Sequence, residues 1–452
     1  MRHLLFTIVL SACSWSYSGL ITMADELWQA GAAATVITPQ SSMWMSGYAS
    51  RTGPSEGTIH DLWAKALLLQ DPQGNKSLLI TLDLVGIDRS TSQTICKRLA
   101  NEHGLERSAV CLSTSHTHSG PVVGKNLLTM YAIDGVNHQK IVEYTEFLEE
   151  AVARVAAAAF KSLAPVVVEH GSGQATFAVN RRTNREADVP MLREAGQLAG
   201  PVDHDVPVLV VRSPEGKLKS ILFGYACHAT VLSGMQWCGD WPGFAQIEIE
   251  RRHPGAIAMF MAGCGADQNP LPRRTVELAA NYGVQIADSI DRTLTAPLRK
   301  ITGQLSTQYR EIDLAFDALP TRSQIEADLS SDNVYIARRA AHLLKQVTDD
   351  GQLTPAYPFP VQVWRFGDEL LMTMLGGEVV VDYALRLKSE LPGPSNWIGG
   401  YCNDVMAYIP SVRVLHEGGY EGETAMIYYG LPTKWSLDVE EHIVRTVREL
   451  AL

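Results

Sequence analysis

The feature of this sequence that most constrains its fold is a repeated alternation between short apolar runs and longer amphipathic stretches. Short apolar runs bounded by turn residues are typical of strands, and apolar residues spaced three and four apart are typical of helices. We predict strands at residues 30–38, 67–69, 78–83, 109–113, 208–212, 220–226, 256–261, 304–314, 361–365 and 370–375. We predict helices at residues 90–103, 142–163, 243–252, 275–294, 321–348 and 379–390. The pattern indicates an α/β (mixed α+β) fold in which helices flank mixed β-sheets.

The organisation of the chain favours one large domain. No repeat, low-complexity tract or convincing linker interrupts the 452 residues, of which 46% are hydrophobic. A chain of this length and composition can bury a large core. We therefore expect a single domain over residues 25–452, with an internal boundary near residue 320 as the alternative.

The N-terminus has the layout of a secretory signal, because a positive start precedes a short apolar run at residues 4–10. That run is too short for a permanent transmembrane helix, and no later segment is long and apolar enough. Cleavage after Ala24 would remove a signal peptide of residues 1–24. A lipoprotein-like box ending at Cys13 is the alternative and would leave a lipid anchor there. Both interpretations predict an exported protein, periplasmic or extracellular.

The charge of the chain narrows the class of partner. The net charge is −11, and the sequence has no sustained run of lysine and arginine. Such a surface repels phosphate backbones, which argues against a nucleic-acid partner. We expect a small-molecule or lipid substrate.

The cysteines leave two interpretations open. Six cysteines lie beyond Cys13, and none forms a CxxC pair. Cys227 and Cys238 bracket a short loop, so they either pair in an oxidising compartment or stay as buried thiols.

Groups that can bind a metal stand at the ends of several predicted strands or loops. The strand at residues 109–113 leads into the sequence HTHSGP at residues 116–121, whose histidines point the same way if the chain stays extended. His228 closes the apolar strand at residues 220–226. Glu378 follows the strand at residues 370–375, and Tyr408 lies in a later loop.

Each of these groups also has an ordinary structural explanation. The HTH pair is then a polar loop with two surface histidines, and His228 is a core histidine with satisfied hydrogen bonds. Glu378 is then a first-turn glutamate favoured by the helix dipole. Tyr408 is then a core aromatic residue with a bonded hydroxyl.

Several stretches resemble the neutral/alkaline non-lysosomal ceramidase family, in matching order and approximate spacing. They are GYA at 47–49, GTIHDLWAKA at 57–66, SHTHSGP at 115–121, NR at 180–181, CHAT at 227–230 with GD at 239–240, GE at 377–378, and residues 403–408 with 420–422. The HTHSGP stretch is the most specific. The resemblance implies a ceramidase-like zinc hydrolase domain over residues 25–452.

The resemblance also implies which residues form the site. Family members bind zinc through the first histidine of HTH, a second histidine, a glutamate and a tyrosine, which match the positions His116, His228, Glu378 and Tyr408. Two imidazoles, a carboxylate and a phenolate oxygen suit Zn²⁺. Residues that match other family positions are expected to transfer protons or stabilise an oxyanion; they are His118, Arg181 and Tyr420. The aspartates expected to orient ligating histidines, or else to act as caps, are Asp83 and Asp240.

Two departures from the family bear on specificity. A family serine that faces the zinc matches Gln268 here, within the stretch at residues 263–270. The sequence ends at Leu452, soon after the last site motif, so we expect no immunoglobulin-like C-terminal domain. Both departures place ceramide itself in question as the substrate.

The resulting hypothesis is an exported zinc-dependent amidohydrolase. Zinc lowers the pKa of a bound water towards about 7, and the hydroxide formed would attack the amide of an N-acyl lipid. One alternative is a zinc hydrolase of another amide or ester, derived from the cell envelope or from polysaccharide. The other is a catalytically silent, metal-containing binding protein.

Overall fold

The structure, a computed structural model, describes residues 27–393 and 395–452. The predicted signal peptide, its cleavage site after Ala24 and the lipid anchor at Cys13 lie outside these residues. Within the described ranges, no helix has the length and apolar character needed to cross a membrane.

Nineteen strands are formed within the described ranges. They are β1 (Trp28–Val36), β2 (Gly57–Thr58), β3 (Trp63–Gln70), β4 (Lys76–Leu82), β5 (Val110–Thr114), β6 (Ala164–Gln174), β7 (Ala178–Asn180), β8 (Asp205–Arg212), β9 (Leu218–Tyr225), β10 (Gln236–Trp237), β11 (Ile257–Ala262), β12 (Gln268–Pro270), β13 (Arg299–Lys300), β14 (Leu305–Ala315), β15 (Ala356–Phe366), β16 (Leu370–Leu375), β17 (Glu378–Val379), β18 (Asn396–Gly399) and β19 (Tyr408–Ile409).

Eleven α-helices are formed in the same part of the chain. They are α1 (Arg89–His103), α2 (Gly135–Lys161), α3 (Val189–Glu194), α4 (Asp240–Arg252), α5 (Val276–Thr295), α6 (Arg322–Asp328), α7 (Val334–Asp350), α8 (Val381–Glu390), α9 (Val412–Glu417), α10 (Met426–Tyr429) and α11 (Val439–Ala451). A π-helical turn spans Tyr420–Thr424.

Two mixed sheets form the centre of the fold. The larger has the order β11-β9-β8-β6-β1-β3-β4-β5, and β13 also pairs with β6. Its pairs are antiparallel except at the two edges, where β4 runs parallel to β5 and β9 parallel to β11. The smaller sheet has the order β14-β15-β16-β18. The short pairs β7–β12 and β17–β19 lie outside both sheets and carry residues of the site described below.

The two sheets share one apolar core. It joins Trp28 and Met259 of the larger sheet to Trp364, Met372 and Trp397 of the smaller sheet. Helix α2 packs on β1 and β3, α4 and α5 pack on the other end of the larger sheet, and α8 and α11 pack on the smaller sheet. Because the core is built from residues on both sides of position 320, the chain is a single mixed α/β domain without a boundary there.

Most predicted elements are present, with ends shifted by a few residues. The strands predicted at residues 67–69 and 78–83 lie within β3 and β4, which pair antiparallel, and α2 begins at Gly135, earlier than predicted. Asp134 sets that earlier start by accepting a hydrogen bond from the Asn137 amide. The cysteines in the described part of the chain are buried free thiols, so the pairing of Cys227 with Cys238 does not occur.

Candidate metal centre

The HTH stretch follows β5 and turns sharply rather than staying extended. His116 has a positive φ of 58°, in the left-handed region that few non-glycine residues adopt. The turn brings the Nε2 atom of His118 to 3.1 Å from the Nε2 atom of His116. The two rings therefore converge as predicted, but the extended geometry behind that prediction is wrong.

His116 and His228 are both anchored through their Nδ1 atoms. Nδ1 of His116 donates to the carbonyl of Val85 at 2.6 Å, and Nδ1 of His228 donates to the carbonyl of Gly265 at 2.8 Å. A carbonyl oxygen can only accept, so each Nδ1 carries the proton. In the neutral rings each Nε2 then presents a lone pair to the centre of the site.

Glu378 and Tyr408 reach the same centre from the pair β17–β19, in which they lie directly opposite each other. Oε2 of Glu378 is 3.1 Å from Nε2 of His116 and 3.3 Å from Nε2 of His228. The Tyr408 hydroxyl is 3.4 Å from Nε2 of His228. The first-turn interpretation of Glu378 is wrong, because α8 begins later, at Val381.

Arg181 borders this cluster. Its Nη2 donates to the Tyr408 hydroxyl at 3.2 Å, and its Nε donates to Oε1 of Glu421 at 2.7 Å. Tyr420 packs edge-on against Tyr408, with ring centroids 5.2 Å apart, and is 40% exposed. Arg181 is thus in direct contact with the centre, whereas Tyr420 lies on its solvent side.

The donor set is suited to a cation. The ligand-capable atoms of His116, His118 and His228 all lie within 4.8 Å of one another. Oε2 of Glu378 is fully buried and accepts no hydrogen bond from the described residues. Lone pairs of buried acceptors repel one another unless a positive charge lies among them. The arrangement therefore requires a proton or a metal ion at its centre.

Burial and neighbouring charges set the protonation of the site. Burial, with the charge of Arg181, lowers the pKa of His228 to about 4. Burial and the nearby His116 also hold the pKa of His118 well below its usual range. Burial opposes ionisation of Glu378, but the imidazoles of His116 and His228 outweigh it and keep its pKa well below the usual range. Near neutral pH the site therefore combines the Glu378 carboxylate with the uncharged imidazoles of His118 and His228.

The expectation that Asp83 and Asp240 orient the ligating histidines is wrong. The Nδ1 atoms of the two anchored histidines are occupied by backbone carbonyls. Asp83 accepts instead from the amide of Trp63 at 3.0 Å. Asp240 accepts from the amides of Val231 and Leu232, at 3.1 and 2.8 Å. Asp83 therefore holds the start of β3, and Asp240 holds the loop that follows His228.

The Gln268 side chain forms its hydrogen bond outside the cluster of site residues. Its Nε2 donates to the carbonyl of Pro201 at 3.2 Å, and its side chain is fully buried. The next residue, Asn269, accepts from Nη1 of Arg181 at 3.3 Å through its Oδ1. The side chain of this stretch that contacts Arg181 is therefore that of Asn269.

Two tyrosines were missed by the sequence interpretation. The hydroxyl of Tyr429, in α10, donates to Oε1 of Glu378. The ring of Tyr48 packs on His118, with centroids 4.8 Å apart. Tyr48 belongs to the GYA stretch that was noted for its resemblance, whereas no local pattern marks Tyr429.

Comparison with known proteins identifies the family to which this chain belongs. Residues 28–265 match the model of the family described as neutral/alkaline non-lysosomal ceramidase, N-terminal. That region is more than half of the chain. The chain belongs to this family. The resemblance inferred from the motifs is thereby confirmed.

Individual relatives are distant. Neutral ceramidase 2 of Arabidopsis thaliana is 22% identical over 285 residues, which are 59% of this chain and 36% of the relative. The chain thus spans about a third of the length of that curated relative. The crystal structure of neutral ceramidase from Pseudomonas aeruginosa matches this chain with a TM-score of 0.73 at 17% identity. The match covers 94% of this chain and 74% of the Pseudomonas chain. A ceramidase complexed with C2 matches with a TM-score of 0.71 at 16% identity, and the match covers 94% of this chain and 75% of that ceramidase chain. At these identities the likeness shows the fold.

Proposed function

We propose that this protein is an exported zinc-dependent amidohydrolase that cleaves the amide of an N-acyl lipid. The observation that carries the proposal is the convergence of His116, His228, Glu378 and Tyr408 in one buried cluster. These four residues would hold the ion. Nitrogen and oxygen ligands of this kind suit Zn²⁺, and membership of the ceramidase family supports an amide as the bond cleaved.

The anchoring of the site supports metal binding over a purely structural role. The carbonyls of Val85 and Gly265 fix the two histidines in the tautomer that a metal needs. The Tyr429 hydroxyl occupies Oε1 of Glu378 and leaves Oε2 directed at the centre. When bound, Zn²⁺ would supply an acidified water and a Lewis acid for the carbonyl.

Three residues around the centre would stabilise charge, transfer a proton and orient the substrate. Arg181 stays charged and is fixed by Glu421, so it would stabilise the negative charge that develops on the carbonyl oxygen. His118 is uncharged and its Nε2 faces the centre, so it would accept a proton and pass it to the leaving amine. Tyr420 lies towards solvent, where its hydroxyl would orient the bound amide.

The metal assignment is tested by measuring zinc in purified protein. We expect about one equivalent in the wild type and its loss in His116→Ala and in His228→Ala. His170→Ala is the matched control, because it removes a histidine that is also buried but lies outside the cluster. Full zinc content in both cluster variants would refute the assignment.

The substrate assignment is tested with fluorescent ceramide and a panel of short N-acyl amides and esters. We expect chelator-sensitive hydrolysis of N-acyl amides. A zinc hydrolase of another amide or of an ester is the second candidate, favoured by the absence of a serine hydroxyl where Gln268 and Asn269 stand. Turnover of esters alone would favour that candidate, and no turnover of any compound would favour a metal-containing binding protein.

Export is proposed from the N-terminal sequence alone. Fractionation of cells that express the full chain, with determination of the mature N-terminus, separates cleavage before Asp25 from lipid attachment at Cys13. Retention of Met1 in a cytoplasmic protein would contradict both.

A further inference from the structure

Arg51 is a buried cation without an anionic partner. The residue is 7% exposed, and no carboxylate in the described ranges forms an ion pair with it. Nη1 donates to the carbonyl of Ser46, and Nη2 donates to that of Gly234 at 3.0 Å. Nε is buried and has no acceptor among the described residues. Burial lowers the pKa of Arg51, although the guanidinium keeps its charge. A buried charge without a counter-charge costs free energy, which an anion would recover.

This cation lies one aromatic ring away from the candidate metal centre. Cζ of Arg51 is 4.9 Å from the centroid of the Tyr48 ring, and that ring packs on His118 with centroids 4.8 Å apart. The Tyr48 hydroxyl donates to the carbonyl of Leu232 at 3.0 Å, which fixes the ring between the two. The positive charge is therefore close enough to act on a group that extends a few bonds from a scissile amide.

A second arginine reaches the loop at residues 231–234, to which Arg51 is bonded. The amide of Arg274 donates to the carbonyl at position 231, at 2.7 Å. Tyr48 and Arg51 donate to the carbonyls at positions 232 and 234. A stretch this short spans at most about 14 Å, so these contacts lie close together. With the adjacent Arg273, they form one arginine cluster of Arg51, Arg273 and Arg274.

The arginine cluster has more positive charge than its acidic neighbours balance. Glu186 pairs with Arg273 at 2.7 Å and with Arg274 at 3.0 Å, so one carboxylate serves two guanidiniums. Asp240 lies beneath the loop, where its carboxylate accepts from two backbone amides. Burial and Asp240 raise the pKa of the Tyr48 hydroxyl, whereas all three arginines lower it, so their charges act on one point. This local excess is opposite in sign to the net charge of −11.

Arg274 is the member of the cluster that a ligand can reach. Its side chain is 57% exposed, whereas that of Arg273 is 18% exposed. The φ of Arg274 is +98°, a value that non-glycine residues rarely adopt. Backbone strain of this kind persists only where surrounding contacts hold it, and it is concentrated at ligand-binding and active sites. The strained position keeps an exposed guanidinium beside the buried charge of Arg51.

We propose that the arginine cluster is a subsite for an anionic group of the substrate, a carboxylate carried a few bonds from the scissile amide. The preferred substrates would then be acidic N-acyl amides, such as N-acyl amino acids. This inference rests on the proposed amide hydrolysis. Arg274 would contact the carboxylate, and the buried charge of Arg51 would add attraction that solvent ions screen little. The carboxylate is carried either by the leaving amine or by the acyl chain, and experiment separates the two.

The test uses two pairs of amides with the zinc-loaded full-length protein. One pair is N-octanoyl-γ-aminobutyrate and its carboxamide, and the other is N-octylglutaramate and its carboxamide. The members of a pair have nearly the same size and differ in charge. Release of octanoate or octylamine is measured. We expect the wild type to favour one acid over its carboxamide by about 10- to 100-fold in kcat/KM, the usual contribution of a charge-assisted hydrogen bond. The pair affected identifies the side that carries the acid.

Two variants remove charge from the cluster. Arg274→Gln should lose most of the preference for the acid, and so should Arg51→Gln. Arg185→Gln is the matched control, because it removes an arginine that is 86% exposed and lies outside the cluster. It should keep the wild-type preference. A preference that survives in both cluster variants, or is missing in the wild type, overturns the inference while leaving amide hydrolysis intact.

Calorimetric binding of the same four compounds keeps the two proposals distinct. Binding without turnover contradicts the proposed hydrolysis, and the preference for the acid is then expected in Kd for the wild type, with its loss in Arg274→Gln. Equal affinity within each pair, or no binding at all, overturns the inference.

Discussion

Glu378 lies directly opposite Tyr408 in the parallel pair β17–β19, so the register of one short ladder places a carboxylate and a phenol at the same centre. The amide of Glu378 donates to the carbonyl of Ala407 at 2.7 Å, and the amide of Val380 donates to the carbonyl of Ile409 at 3.2 Å. Because successive strand residues alternate between faces, a shift of one residue would turn one of the two side chains away. The geometry of the centre therefore depends on this pairing.

Replacing Tyr429 with phenylalanine tests how Glu378 is oriented. The variant loses the donor to Oε1 of Glu378 without losing the ring. We expect zinc affinity to fall by about 10- to 100-fold, the usual effect of removing a group that orients a metal ligand. Competition with a chromogenic chelator measures it. Tyr428→Phe is the control, and equal affinities in the two variants would contradict the role of Tyr429.

Replacing Arg181 with lysine tests charge stabilisation at the centre. Lysine cannot bond Glu421, Asn269 and Tyr408 at once, so we expect kcat to fall by about 10²- to 10³-fold with zinc content unchanged. Arg182→Lys is the control, since Arg182 donates to the other oxygen of Glu421 and lies beyond hydrogen-bonding contact with Tyr408. Equal losses of activity in both variants would show that only the ion pairs matter.

Replacing Gly47 with alanine tests the packing around His118. A Cβ there would lie 2.5 Å from Cγ of His118, and the φ of Gly47 is +100°. Gly74→Ala is the control, because its φ is +91° but its Cβ would meet nothing within 4 Å. We expect both variants to lose about 1 kcal/mol or more in the free energy of unfolding. Only Gly47→Ala should also lose activity; unchanged turnover would contradict a role for the position of His118.

Replacing Asp404 with asparagine tests a pH-dependent contribution to stability. Burial, reinforced by the nearby Asp88, raises the pKa of Asp404 to about 8, although the bond from Tyr357 opposes this. A raised folded-state pKa gives stability that is complete below about pH 4 and is lost as the pH rises through about 8. Relative to Asp404→Asn, the wild type should lose at least about 2 kcal/mol between pH 4 and pH 9. Urea unfolding measures it, and parallel pH profiles would contradict it.

Local pattern was enough to predict much of the fold. Runs such as β16 and the spacing in α5 carry their own signal, and their observed ends differ from the prediction by at most a residue. The short ladders β7–β12 and β17–β19 were not predictable, because strands of two or three residues have no periodicity and depend on tertiary contacts.

Part of the site was predictable from local sequence pattern and from the resemblance to the family. His116 and His228 stand at the ends of recognisable strands, and resemblance to the family added Glu378 and Tyr408. The hydrogen-bond partners of the two histidine Nδ1 atoms were not predictable. They are the backbone carbonyls of Val85 and Gly265, and a backbone carbonyl leaves no mark in the sequence. The side-chain partners of Gln268 and Asn269 were not predictable either, because the position of β12 is set by its pairing with β7.

The four residues that converge on the centre are divided between distant parts of the chain. Both histidines belong to the stretch at residues 28–265, whereas Glu378 and Tyr408 come much later. A growing polypeptide that has reached residue 265 has two of the four. Under the proposed function, tight capture of the ion would therefore wait until Tyr408 is in place. The zinc content of a preparation would then report the fraction of molecules in which the segment with Glu378 and Tyr408 has docked against the two histidines.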